Sequence, residues 1–122
     1  MSQITVCLSL FAVLVAFAVA SAAIDPSAVY LGSPESFNSP AEIRASEVFD
    51  AIPEYRQIRQ EKIKPNDARY WLLMNRANRR FRRALKVVAN TCGYDLIVEA
   101  GTIGAYKGKS IPDITGDVIL AL

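Results

Sequence analysis

An α+β fold is predicted: a small β-sheet body, a shortened antiparallel helical hairpin and a C-terminal capped helix. Three stretches of the sequence carry this expectation. Tyr70, Met74, Ala77, Phe81, Ala84, Val88 and Thr91 recur at alternating steps of four and three, which is the seam of an amphipathic helix. Asp95-Leu-Ile-Val-Glu99 lies between glycines and is rich in β-branched residues, which reads as a short strand. Asp113-Ile-Thr-Gly-Asp117 places a hydroxyl and an acid ahead of Val118 and Ile119, which reads as a capped final helix turn.

The seam helix has visible ends. Asp67 follows Pro65-Asn66 and suits an N-cap, and Gly93 follows Cys92 and suits a left-handed stop. A helix over 68–92 would be roughly 37 Å long. Trp71, Leu73, Leu85 and Val87 widen its apolar stripe. Thr102 to Tyr106 is expected to pair antiparallel with the 95–99 strand, and Lys107-Gly-Lys-Ser-Ile-Pro112 is a turn or loop. Thr115 is expected to cap the last helix, with Val118, Ile119 and Leu122 facing the strands.

This C-terminal third is where the chain resembles a known family. The carrying residues are Ala84-Leu-Lys-Val-Val-Ala-Asn90, Tyr94-Asp-Leu-Ile-Val98, Ala105-Tyr106, Asp113-Ile-Thr115 and Asp117-Val118. Each piece is weak, but the ordered set resembles the C-terminal signature of the OmpH family of Skp-like periplasmic chaperones. The resemblance implies a homotrimer whose body is a small β-barrel shared by three subunits. It also implies helical hairpins that project from the body and enclose unfolded outer-membrane proteins.

Upstream, residues 4–20 are almost unbroken apolar and are followed by Ser21-Ala-Ala23. That pattern is a secretory signal peptide over residues 1–23. A retained membrane anchor is the alternative, because no Lys or Arg precedes the core and the run is long enough to span a bilayer. Either reading puts the remainder outside the cytoplasm, and the family resemblance implies the periplasm. Residues 24–41, rich in Ser and Pro, read as an extended leader, and 42–122 as the OmpH-like domain. A body of about one hundred residues buries a limited core, so oligomerisation is an expected source of stability.

Ile24 to Glu35 matches Ile43 to Glu54 at an offset of nineteen, with Tyr30 falling on Phe49. Two copies of a strand-to-helix junction and a chance likeness both fit. Neither copy follows a convincing strand, so a barrel here would be incomplete or differently closed. Ala45 to Lys62 is helical in pattern with a break at Pro53, and Lys64-Pro-Asn-Asp67 is the turn of an αα-hairpin. The first arm is too short for the family's long projecting hairpins. The face around Tyr70-Trp-Leu-Leu-Met74 therefore needs cover from a neighbouring subunit or a client.

The chemistry open to the chain is narrow. It has no histidine, which removes the commonest general base and metal ligand. Past the leader only Cys92 remains, so an intrachain disulfide has no second thiol. Gly108-Lys109-Ser110 spells the end of a P-loop, but Ile103 stands where its first glycine belongs and Pro112 blocks the following helix. Asp113 and Asp117 read as helix-terminal acids rather than a metal pair. No nucleophile–base pair is recognisable, and no catalytic, metal or cofactor-binding residue is assigned: the protein is expected not to be an enzyme and to need no cofactor.

Binding chemistry is what remains. Arg69, Arg76, Arg79, Arg80, Arg82, Arg83 and Lys86 share the helix with no acid among them. A solvated outer face is the plain reading of these charges; a cationic surface for acidic client segments, lipopolysaccharide or anionic lipid is the functional one. Nucleic acid would suit the arginines but not the secretory segment. The expected client-binding set is Trp71, Leu72 and Met74 for apolar contact, with Arg76, Arg79, Arg80 and Arg83 for charge. Two functions follow as expectations. One is an ATP-independent holdase-like chaperone for unfolded outer-membrane protein segments. The other is a trimeric scaffold that has lost client binding with its long arms.

Overall fold

The computed structural model describes residues 24–122. The signal or anchor segment, its cleavage site and Cys7 lie outside the described residues. The order of elements is a 3₁₀ turn (Pro26–Ala28), β1 (Val29–Leu31), β2 (Pro40–Ile43), α1 (Ala45–Asp50), α2 (Pro53–Gln60), α3 (Ala68–Cys92), β3 (Leu96–Glu99) and α4 (Thr115–Leu120). The α+β class therefore holds.

The sheet is mixed and three-stranded, in the order β1-β3-β2. β3 is its centre because Leu96, Ile97 and Val98 form an apolar run that suits burial on both faces, and all three are fully buried. β1 pairs with it antiparallel and β2 pairs with it parallel. Parallel pairing needs a long crossover, and α1, α2 and α3 supply it. Beyond β2, Glu42 donates its N–H to Pro112 O and accepts from Ile114 N, both at 2.9 Å. The segment leading into α4 thus covers that edge.

Two expectations about the sheet are corrected. Residues 102–106 are not its second strand. Both edges of β3 are already taken by β1 and β2, so the glycine-rich stretch has no ladder to join. It ends instead in a tight turn, Tyr106 bridged to Lys109 with positive φ at Lys107 and Gly108. The leader, in turn, is not outside the domain: it supplies β1 and the start of β2, and a boundary between 41 and 42 would cut β2. Within the described residues the sheet is open. Strands of three and four residues in this number are too few to close a barrel alone.

The leader is fastened by backbone geometry. Gly32 sits at φ 88°, and a Cβ there would lie 2.1 Å from Asp95 O. The Asp95 carboxylate accepts from Asn38 N at 2.7 Å and Ser39 N at 2.8 Å. Glu99, at the other end of β3, accepts from the Tyr30 hydroxyl at 3.0 Å and from Ala45 N at the start of α1 at 3.1 Å.

The helices follow the sequence closely. Asp67 accepts from Arg69 N at 2.9 Å and caps α3, and Gly93 ends it at φ 78°. Ala77, Phe81, Ala84, Leu85, Val88 and Ala89 of α3 join Ile43, Val48, Ile52, Ile97, Ile114 and Val118 in one core. Small residues at 77, 84 and 89 let the helix backbone lie close to its neighbours. Pro53 starts α2 rather than kinking a longer helix. α2 ends in a Schellman-type stop in which Lys62 takes φ 51° and Ile63 N donates to Ile58 O at 3.0 Å.

At the last helix the capping residue differs from the expectation. Thr115 is the first residue of α4, and the Asp113 carboxylate accepts from both its N–H and its hydroxyl. The Thr115 hydroxyl in turn accepts from Arg44 N at 3.0 Å. The two Thr115 bonds, aided by Arg44, outweigh burial and hold the Asp113 carboxyl below its ordinary value.

The copies matched at an offset of nineteen do not share a conformation: Val29-Tyr30 lies in a strand and Val48-Phe49 in a helix. They do converge on one partner. Phe49 stacks on Phe81 at 4.8 Å between centroids, and Tyr30 meets the same ring edge-on at 5.6 Å.

Candidate functional site

The hairpin of α2 and α3 carries the expected client-binding residues, and its short arm shapes what they present. Ile58 of α2 and Ile63 of the turn bury Leu73 of α3, with Tyr70 and Met74 packed against them. The upper face of α3 therefore finds most of its cover within its own chain, which corrects the expectation that this cover must come from outside. Met74 is half-buried there. Trp71 and Leu72 remain, at 57% and 52% exposure. The Trp71 indole N–H donates to Pro65 O at 2.8 Å, and its ring meets Tyr70 edge-on at 5.0 Å. A bond to the turn and a packed neighbour hold the indole in a fixed pose with much of its area in water.

The arginines divide into two groups. Arg80 Nε donates to both oxygens of Glu54, at 2.8 and 3.0 Å. Glu54 is largely sheltered, with only 15% of its side chain exposed. Burial is the strongest single influence and pushes that carboxyl up, but the Arg80 bond, the Glu54 backbone N–H and the Arg80 and Arg76 charges together outweigh it, and the net value is lowered. Arg80 thus ties the two arms together and offers a client less of its guanidinium than the unpaired Arg76, Arg79 and Arg83 do. Arg69 is likewise engaged, by Asp67 at 2.9 Å and Glu61 at 3.8 Å. Arg76, Arg79 and Arg83 are exposed and make no ion pair among the described residues.

Helical spacing aligns what is left. Leu72, Arg76, Arg79 and Arg83 stand at i, i+4, i+7 and i+11, on one outward stripe. Trp71 flanks its upper end. The result is an apolar tip above a ladder of guanidinium groups on a rigid helix. Such a surface can bind apolar side chains beside acidic ones, and it contains nothing that would act as a nucleophile. Among the described residues no group of three or more His, Cys, Asp or Glu side chains could hold a metal ion, and no helix is long and apolar enough to cross a membrane.

A second feature was not foreseen from the sequence. Between β1 and α3 lies a groove of about 270 Å³, lined by Val29, Tyr30, Phe49, Phe81 and Leu85 with Asn78 and Arg82 at its polar side. Burial and the Glu99 bond raise the Tyr30 hydroxyl to about 12. The one sequence signal pointing here was the alignment of Tyr30 with Phe49, read as a repeat of a junction rather than as two walls of one aromatic site.

No model of a known protein family matches the chain, and no curated protein matches it.

Proposed function

We propose that the protein is a short-armed relative of the OmpH family that works in the periplasm, as a homotrimer, to hold unfolded outer-membrane protein segments without ATP. The observation that carries the reading is the fixed, half-wet Trp71 beside Leu72, at the head of the Arg76–Arg79–Arg83 stripe. An unfolded chain offers apolar side chains interleaved with acids, and both kinds of contact would be made along one edge of α3. Without a long cavity the grip is shallow, so binding is reversible and independent of nucleotide hydrolysis. Lipopolysaccharide or anionic lipid would meet the same guanidinium groups.

The scaffold reading draws on a different observation. Arg80 is paired with Glu54, and the tip cluster is covered by the chain's own turn, so the hairpin is more closed than a client-binding arm needs to be. Aggregation of a β-barrel protein diluted from urea separates the two. The holdase reading expects suppression at a few-fold excess, weakened by salt and by the combined change Arg76→Gln, Arg79→Gln and Arg83→Gln. No suppression at several-fold excess favours the scaffold. Trp71 is the chain's one tryptophan, so a blue shift on adding a Trp-free unfolded segment would report contact at the tip directly.

A further inference from the structure

The groove between β1 and α3 has an apolar floor and a cationic lip, and the described residues of its own chain leave it open. Its volume of about 270 Å³ leaves room for an inserted apolar side chain. Phe81 and Leu85 form the buried floor, Tyr30 and Phe49 the walls, and Arg82 stands at the rim with no ion pair among the described residues.

The complementary shape is on α4. Leu120 is 87% exposed, far more than any other large exposed hydrophobic residue of the described chain. Thr115 and Val118 face inward, leaving Asp117 and Leu120 outward, one turn apart. At that spacing the two side chains are neighbours on the helix surface. Asp117, like Arg82, makes no ion pair among the described residues. An apolar knob beside a carboxylate thus matches an apolar slot beside a guanidinium.

Within one chain the knob turns away from the slot: Val118 of α4 packs into the core that Phe81 and Leu85 share, and Leu120 faces out from it. The groove adjoins β1 at one edge of the sheet, whereas α4 follows the segment bridged to β2 at the other. We infer that Leu120 of one copy enters the Tyr30–Phe49–Phe81 groove of the next, with Asp117 meeting Arg82. The joined surfaces differ, so the contact is heterologous and each copy both gives and receives; such a contact closes into a ring when its rotation allows. The occupant is a second copy of this chain, and the inference rests on the trimeric part of the function proposed above.

The test is a charge exchange read by light-scattering mass on protein produced from the full chain. Arg82→Asp and Asp117→Arg each place like charges at the contact and weaken assembly roughly tenfold or more, lowering the mass at micromolar concentration. Combining the two changes restores it. Leu120→Asp lowers the mass as well. All three positions are exposed, so each variant is expected to fold, and its circular dichroism spectrum checks this. A mass unmoved by Leu120→Asp, or a double exchange that does not restore assembly, overturns the contact while leaving a trimer built on other surfaces standing. Variants that change client holding but not mass also overturn it, because the groove would then belong to clients. A single-chain mass for the unaltered protein removes both this contact and the trimer, and aggregation assays on that single chain still decide the holdase reading.

Discussion

Gly32→Ala is expected to be the most damaging single-methyl change in the described chain. At φ 88° an alanine is strained by about 1–2 kcal/mol. The larger effect is contact. The new Cβ would lie 2.1 Å from Asp95 O and 3.1 Å from Leu96 Cα, and both are backbone atoms at the entrance to the central strand. β1 must move away from β3 by about an ångström, which no hydrogen-bonded strand pair tolerates. Tyr30 then loses its bond to Glu99 and its edge contact with Phe81, each worth about 1 kcal/mol. A total near 3–4 kcal/mol follows, or a fall in Tm of roughly 12–32 °C for a body of this size.

Gly93→Ala provides the control. Its φ of 78° imposes the same conformational strain, but nothing beyond its own neighbours in the chain lies within 4 Å of the added carbon, so only that strain of about 1–2 kcal/mol is expected. Urea titrations followed by circular dichroism measure both. If the two variants agree within about 0.5 kcal/mol, a difference inside ordinary surface effects, the clamp between Gly32 and Asp95 does not hold the leader in place and the account of β1 is wrong.

Four further outcomes are expected. Leu73→Ala should cost about 2–3 kcal/mol, at the low end for a core leucine because its cluster is small, and Trp71 emission should change at lower urea than the dichroism signal as the tip loosens first. Glu54→Gln should cost about 1 kcal/mol, since Arg80 remains partly in water at 42% side-chain exposure. In the unaltered protein the Glu54 contribution is fully present above the carboxyl's ordinary value of 4.5 and is lost as pH falls through its lowered folded value; acid titration of the variant should lack that loss. Tyr30 works in the opposite range: its contribution is intact below 10 and disappears as pH rises towards about 12, so Tyr30→Phe should flatten alkaline destabilisation measured by urea midpoints. Lys62→Gly should raise stability by up to about 1 kcal/mol, because the Schellman stop needs a left-handed residue that lysine adopts under strain; a lower urea midpoint would count against that stop.

The local elements were legible because local chemistry specifies them. Asp67 caps α3 with its carboxylate and Gly93, lacking a Cβ, ends it in the left-handed conformation, Pro53 opens α2, and the run Leu96-Ile-Val98 is buried on both faces as its lack of alternation implies. The tertiary structure decided what long-range partners choose. Which strands flank β3 depends on Gly32, whose value lies in an approach to Asp95 sixty-odd positions away, so periodicity led to residues 102–106 instead. Arg80 is indistinguishable from Arg79 and Arg83 in sequence, and only the docking of α2 puts Glu54 beneath it. Spacing along a helix fixes which direction a side chain faces; what waits there is set by the packing of segments that the chain brings together from far apart.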